Sequence, residues 1–319
     1  GSGSAPPSLT HTKQRGASLD GDGRRKLVAK VFSGFSAGPR GIAIFDAATG
    51  ERIGFHETGP AVSPTVWIGP VFGGSSTRIF AGSAGIANGR IAPDGSRDDA
   101  SYVWCLDALG RVVWRRGPCD RFGFFNTVIA IPEVRHDHRR FVVVSRYEHG
   151  MRAWEGRVGR IETLDVRDGS SVPELSRDMG APCRLFTVED FEGNGELGLL
   201  IVLEDSGTRR AELRILDFRP NLPDRRCYDI GEVAYAVAQT ADLDGDGRKE
   251  IVLSAGEEVR ILDAKLQSLA VWRRAEVERF PIQQVTVARL GPREDPRLVV
   301  VTMNGPETAR ADVLEPRLP

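Results

Sequence analysis

The chain has 319 residues, 40% of them hydrophobic and 27% charged, and its 43 basic and 44 acidic side chains leave a formal net charge of −1. That balance describes a globular protein long enough to bury a sizeable core, and it argues against a nucleic-acid-binding scaffold. No apolar run approaches the roughly 18 residues of a membrane-spanning helix, so no membrane insertion is expected.

Gly1-Ser2-Gly3-Ser4 looks like an expression remnant, which suggests a piece cut from a longer protein and leaves 5–319 as a single domain. Ser18-Leu19-Asp20-Gly21-Asp22-Gly23 opens a β-type run, Leu27-Val28-Ala29. Similar runs follow at Arg78-Ile79-Phe80-Ala81 and Phe141-Val142-Val143-Val144. A second acidic loop, Asp190-Phe191-Glu192-Gly193-Asn194-Gly195, leads into Leu199-Leu200-Ile201-Val202. A third, Asp242-Leu243-Asp244-Gly245-Asp246-Gly247, leads into Ile251-Val252-Leu253, and the last run is Leu298-Val299-Val300-Val301. Downstream of each run lies an apolar residue followed by an acid: Phe45-Asp46, Leu106-Asp107, Leu164-Asp165, Leu216-Asp217, Leu262-Asp263 and Leu314-Glu315.

Two markers recurring in the same order every 50–60 residues or so are blade-sized repeats, at about 14–60, 61–120, 121–180, 181–232, 233–279 and 280–319. Four short strands per unit, abundant Gly and Pro, and no amphipathic helix predict an all-β propeller of four-stranded blades. Six blades are expected, with seven as the alternative. The sixth repeat stops after its third strand, so residues 5–11, or the strand just after them, are expected to complete it, closing the ring by pairing the two termini.

The fifth loop carries the strongest chemical signal. Asp242, Asp244 and Asp246 alternate with small or apolar residues, and such a loop can converge three carboxylates on one hard cation. An EF-hand needs an acid at its twelfth position and flanking helices, but that position holds Leu253. The acid stands at the ninth, Glu250, followed at once by a strand. Arg248 would offer only its backbone carbonyl. The predicted ion is Ca2+.

An acidic nine-residue loop opening into a strand, repeated through the chain, resembles the FG-GAP or VCBS repeats of integrin-α-type β-propellers. The resemblance implies a structural ion that pins the first strand of a blade to the second. The fourth loop keeps Asp190, Glu192 and Asn194 but ends in Gly198, which makes it a weaker candidate. Lys26, Arg78, Arg140 and Arg297 occupy the ninth position elsewhere, where a cation does what the metal would do. Phe45-Asp46-Ala47-Ala48-Thr49-Gly50 also echoes quinoprotein-type repeats, whose eight blades exceed this chain's length.

Other features are read as structural. His136-Asp137-His138 is flanked by Arg135, Arg139 and Arg140, which disfavour a divalent metal, and is expected to be a solvated loop. Trp114 and Trp272, at equivalent positions, are expected to pack in outer strands. Cys105, Cys119, Cys183 and Cys227 have no metal-ligand spacing and are expected to be free and mostly buried. The long polar connections 83–101 and 147–159 are where contacts would sit, with Arg90, Arg97, Arg152 and Trp154 as candidates.

These readings predict a non-catalytic binding or sensor module of a larger bacterial protein, monomeric as an isolated domain. It would recognise a protein or peptide, with a glycan as a further option. A propeller lectin or a polysaccharide lyase is the alternative. Calcium binding would place it in an extracellular or periplasmic setting, and its absence in the cytoplasm.

Overall fold

The computed structural model describes residues 17–18, 25–32, 38–71, 77–85, 87–119, 124–131, 140–148, 159–205, 210–232, 236–273, 282–289, 296–304 and 308–315. Every regular element among them is a β-strand except one turn of 3-10 helix at Pro173–Leu175. The residues form two compact units, Gly1–Leu185 and Phe186–Pro319.

In the first unit, β1 (Ala17–Ser18), β2 (Arg25–Phe32), β3 (Arg40–Asp46) and β4 (Arg52–Glu57) make a four-stranded sheet in chain order. Next come β5 (Ala61–Pro70), β6 (Thr77–Ala84), β7 (Val103–Leu106) and β8 (Val112–Arg116). They are followed by β9 (Phe124–Ile131), β10 (Phe141–Glu148), β11 (Gly159–Asp165) and β12 (Arg177–Asp178). These two sets of four strands are fused into one eight-stranded sheet by a single backbone pairing, Ala84 with Phe125. The repeat pattern predicts separate sheets here; the far end of β6 instead reaches the start of β9.

The second unit holds β13 (Cys183–Glu189, beginning at the junction), β14 (Gly198–Asp205), β15 (Arg210–Asp217) and β16 (Asp224–Glu232). A second sheet has β17 (Ala236–Ala241), β18 (Glu250–Ala255), β19 (Glu258–Leu262) and β20 (Ser268–Arg273). A third has only β21 (Ile282–Arg289), β22 (Pro296–Asn304) and β23 (Thr308–Leu314) among the described residues. The segment expected to complete it, 5–11, lies outside them, as do 149–158 with Arg152 and Trp154, and His136-Asp137-His138.

Why β6, β10, β14 and β18 carry unbroken apolar runs is clear from their two faces. Successive side chains on a strand point to opposite sides. Ile79 and Ala81 pack with Ile42 and Ile44 of the first sheet, whereas Phe80 between them packs with Val142, Val144 and Leu164. Ile251 and Leu253 face Leu200, Val202 and Leu213, whereas Val252 faces Val285, Leu298 and Val300. A strand buried on both faces has no polar side to show.

The recurring acid after each third strand has a local duty. Asp46 Oδ1 accepts the backbone N–H groups of Ala48 (2.8 Å) and Thr49 (3.0 Å). Asp107 Oδ1 accepts Leu109 and Arg111, both at 2.9 Å, and Asp263 Oδ1 accepts Lys265 (2.9 Å) and Gln267 (2.8 Å). Each is an Asx-type turn that closes the hairpin to the fourth strand. Trp114 is buried, donates from Nε1 to Val166 O at 2.9 Å and packs on Phe80, while Trp272 packs against the Val252–Val300 cluster.

None of the four cysteines forms a disulfide; Cys105 and Cys183 are fully buried, and Cys105 pairs with Trp114 across the β7–β8 hairpin. Burial pushes both of these thiols up to about 12.

Two outcomes follow. Phe80→Ala and Leu253→Ala should each lower unfolding stability by about 2–5 kcal/mol in a denaturant titration, and Val271→Ala, on the exposed β20, by less than about 0.5 kcal/mol. A thiol-reactive chromophore at neutral pH should modify exposed Cys227 in the folded protein, with Cys105 and Cys183 reacting only after denaturation.

Candidate metal centre

The loop joining β17 to β18 is curled by its own carboxylates. Asp242 Oδ1 accepts Gly245 N–H at 2.7 Å and its Oδ2 accepts Gly247 N–H at 3.2 Å. Asp244 accepts Asp246 N–H at 3.0 Å, and Asp246 accepts Arg248 N–H at 2.8 Å. Gly245 and Gly247 have φ of 84° and 87°, a left-handed backbone that glycine adopts without steric cost. Leu243, between the acids, turns into the core and anchors the loop.

Glu250 is the first residue of β18 and pairs with Ala241 at the end of β17, so the ladder itself carries it back to the loop's origin. Its side chain is only 4% exposed, and Oε2 accepts Leu243 N–H at 2.7 Å. Ligand atoms of Asp242, Asp244 and Glu250 lie within 4.8 Å of one another. Asp246 stands outside that trio, exposed, with Arg248 Nε at 4.0 Å. The Arg248 side chain is 65% exposed and makes no other ion pair among the described residues.

The electrostatics of this cluster are unbalanced. Burial raises the Glu250 carboxyl above its usual range, and Asp244, Asp246 and Asp242 push it further, against the opposing Leu243 N–H. Among the described residues no cationic side chain pairs with Glu250. Hard oxygen donors around a nearly buried, repelled carboxylate are what a calcium-sized ion relieves, and the donor set therefore fits Ca2+.

The fourth loop differs where it matters. Asp190 accepts the N–H groups of Asn194 and Gly195, and Asn194 Oδ1 accepts Glu196 N–H at 2.8 Å, so the turn is kept. At the ninth position, a Cβ on Gly198 would lie 2.9 Å from Ile215 Cγ2 and 3.1 Å from Phe191 Cδ2. Core packing thus leaves no space there for an acid. Arg225 brings a cation to the end of this loop instead, pairing with Asp217 and donating to Leu197 O at 3.3 Å. No local motif marks Arg225 in the sequence, because its partners belong to another strand.

Cations at ninth positions behave in more than one way. Lys26 is buried, while the loop before it lies outside the described residues. Arg297 pairs at 2.7 Å with Glu315, the acid that follows the third strand, and Arg78 donates to the carbonyl of Thr77 at 3.3 Å. The fourth and fifth loops touch through Lys249 N–H and Phe191 O at 3.3 Å. Between them opens a cavity of about 350 Å³ lined by Glu192, Asn194, Asp244, Asp246 and Lys265 among others.

Of the contact candidates, Arg90 pairs with Glu57 and is mostly buried, whereas Arg97 is 62% exposed and forks onto Asp99 at 2.8 and 3.3 Å.

No protein-family model matches the chain, and no curated protein matches it. Solved structures do. A quinohemoprotein alcohol dehydrogenase from Pseudomonas putida HK5 is 10% identical over 88% of this chain and 55% of its own, with a TM-score of 0.53. BBS1N, solved in complex with ARL6DN, is 15% identical over 97% of this chain and 93% of its own, with a TM-score of 0.45. A Bacteroides caccae protein of unknown function is 14% identical over 88% and 84%, also at 0.45. The dehydrogenase is a β-propeller, and at this identity the likeness speaks to the fold alone: the chain is all-β and propeller-like.

Proposed function

We propose that the chain is a calcium-braced, six-bladed β-propeller of the FG-GAP or VCBS type, closed by its termini, acting as a protein- or peptide-binding module of a larger bacterial protein. The observation that carries the calcium assignment is Glu250: a carboxylate 4% exposed, close to Asp242 and Asp244, with no cationic side chain paired to it among the described residues. Asp242, Asp244 and Glu250 would hold the ion through side-chain oxygens, with Asp246 and the Arg248 carbonyl completing the shell. When bound, the ion supplies charge neutralisation that ties β17 to β18. The binding role is supported by the β6–β7 connection, which is tethered at its base and presents Ile91, 65% exposed, with Arg97 and Asp99 beside it. Likeness to a dehydrogenase at 10% identity brings no catalytic residue to this chain.

A thermal melt in millimolar calcium should exceed one in EDTA by roughly 5–10 °C, and Asp244→Ala or Glu250→Gln should abolish the difference. Calorimetric titration should give one site per chain; two would mean that the fourth loop also binds. No shift in the unaltered protein would overturn the metal assignment. The calcium effect should also shrink from pH 7 to pH 5. A carboxyl raised in the folded state gives stability present below about 4.5 and lost as the pH rises through its folded value, so calcium has most to relieve at neutral pH. For the binding role, Ile91→Asp combined with Arg97→Glu should abolish capture of a protein partner while leaving the melt unchanged, and intact capture would count against this surface.

A further inference from the structure

The β6–β7 connection is far more tightly held than its polar, glycine-rich composition suggests. Residues 87–101 lie against the corner formed by β3, β4 and the residues after β4. Arg40, 1% exposed, donates to Gly59 O at 2.9 Å and pairs with Asp98 at 3.5 Å. Asp98 in turn accepts the N–H groups of Asn88 (3.0 Å) and Gly89 (3.1 Å). Ser96 Oγ accepts Gly59 N–H at 3.0 Å, and Arg90 pairs with Glu57.

One contact in this clamp is incomplete. His56, on β4, is 7% exposed, and its buried Nε2 has no hydrogen-bond partner. That nitrogen stops 3.6 Å from Asp94 Oδ2, beyond hydrogen-bonding length. Three acceptor positions of the Asp94 carboxylate are taken, and a cation faces its second oxygen. Oδ1 takes Ser96 N–H (2.8 Å) and Ser96 Oγ–H (2.6 Å), while Oδ2 takes Trp104 Nε1–H (3.2 Å) and faces Arg115 at 3.4 Å. A carboxylate offers about four such positions. The imidazole ring stands edge-on to the Trp104 indole at 5.8 Å.

We propose that residues 87–101 are a strap latched over the first sheet while His56 is neutral, and that protonation of His56 releases it. An imidazolium enclosed here would lose its hydration, share Asp94 Oδ2 with Trp104 Nε1–H and sit beside the Arg115 guanidinium that faces the same oxygen. The charged groups that face it are Asp94 from the strap and Arg115 from β8; Trp104 from β7 is neutral, and Arg40–Asp98 and Arg90–Glu57 pair with each other. Burial holds the His56 imidazole below its ordinary range, Asp94 pulls it up and Arg115 opposes that. A depressed histidine gives stability fully present above about 6.5 and lost as the pH falls towards its folded value. In the open strap His56 meets water and takes the proton. The consequence is an acid-sensed surface, because Ile91 and Arg97 ride on the strap.

Hydrogen exchange of residues 87–101 in the intact chain, corrected for intrinsic rates, tests this. Lowering the pH from 7.5 to 5.5 should raise strap opening by up to about tenfold, the limit for one proton taken up over one pH unit below about 6.5. His56→Gln should keep the strap closed across the range. Arg90→Ala, which removes the pair with Glu57 and leaves His56 and Asp94 untouched, should open more at every pH and retain the acid response. Unchanged protection in the unaltered protein, or an undiminished acid response in His56→Gln, would overturn the proposal. If His56→Gln does not fold, a flat response in Arg90→Ala would overturn it instead.

Discussion

Burial of the second strands β6, β10, β14 and β18 on both faces is the constraint from which the rest of this structure follows. A strand such as β18 gives Ile251 and Leu253 to one neighbouring sheet and Val252 to another. Neither face can then carry polar side chains, and the sheet must be sandwiched to be stable. Polar chemistry is thereby displaced to the ends of the strands, where the acidic loops enter and the hairpins turn. The candidate metal centre and the Asx turns sit there because nowhere else along these strands has the room or the water.

The same constraint explains why two loops of similar sequence differ. Glu250 and Gly198 occupy the same position in their repeats. At β18 the side chain points to the loop and remains accessible to a cation. At β14 the position is pressed against Ile215 and Phe191, and any side chain would collide with them. Core packing, a few ångströms from the turn, decides which loop keeps its ninth ligand. Where the ligand is absent, Arg225 supplies the positive charge from the facing outer strand.

The strap adds a different kind of connection. Arg40 and Asp98 are 58 residues apart in sequence, yet both are almost fully buried and meet at 3.5 Å. A buried pair of this sort is costly to break, because each partner left alone remains desolvated. It fixes the base of a long connection while the tip, with Ile91, stays in water. His56 has no such partner, for its buried Nε2 makes no hydrogen bond.

Much of this was determined by sequence alone. The acids at alternate positions before Glu250 define a loop whatever surrounds it, since Asx turns and left-handed glycines act over five residues or fewer. The unbroken run Ile251-Val252-Leu253 likewise announces a doubly buried strand. The recurring acid after each third strand was legible as a marker, and turn chemistry supplies its role. Tertiary structure alone decided the fusion of two strand sets at Ala84 and Phe125, the closure of Gly198 to side chains, the recruitment of Arg225, and the clamp on residues 87–101. These depend on contacts between residues far apart in the chain, whose partners are chosen by packing and desolvation, and no local pattern of residue types encodes them.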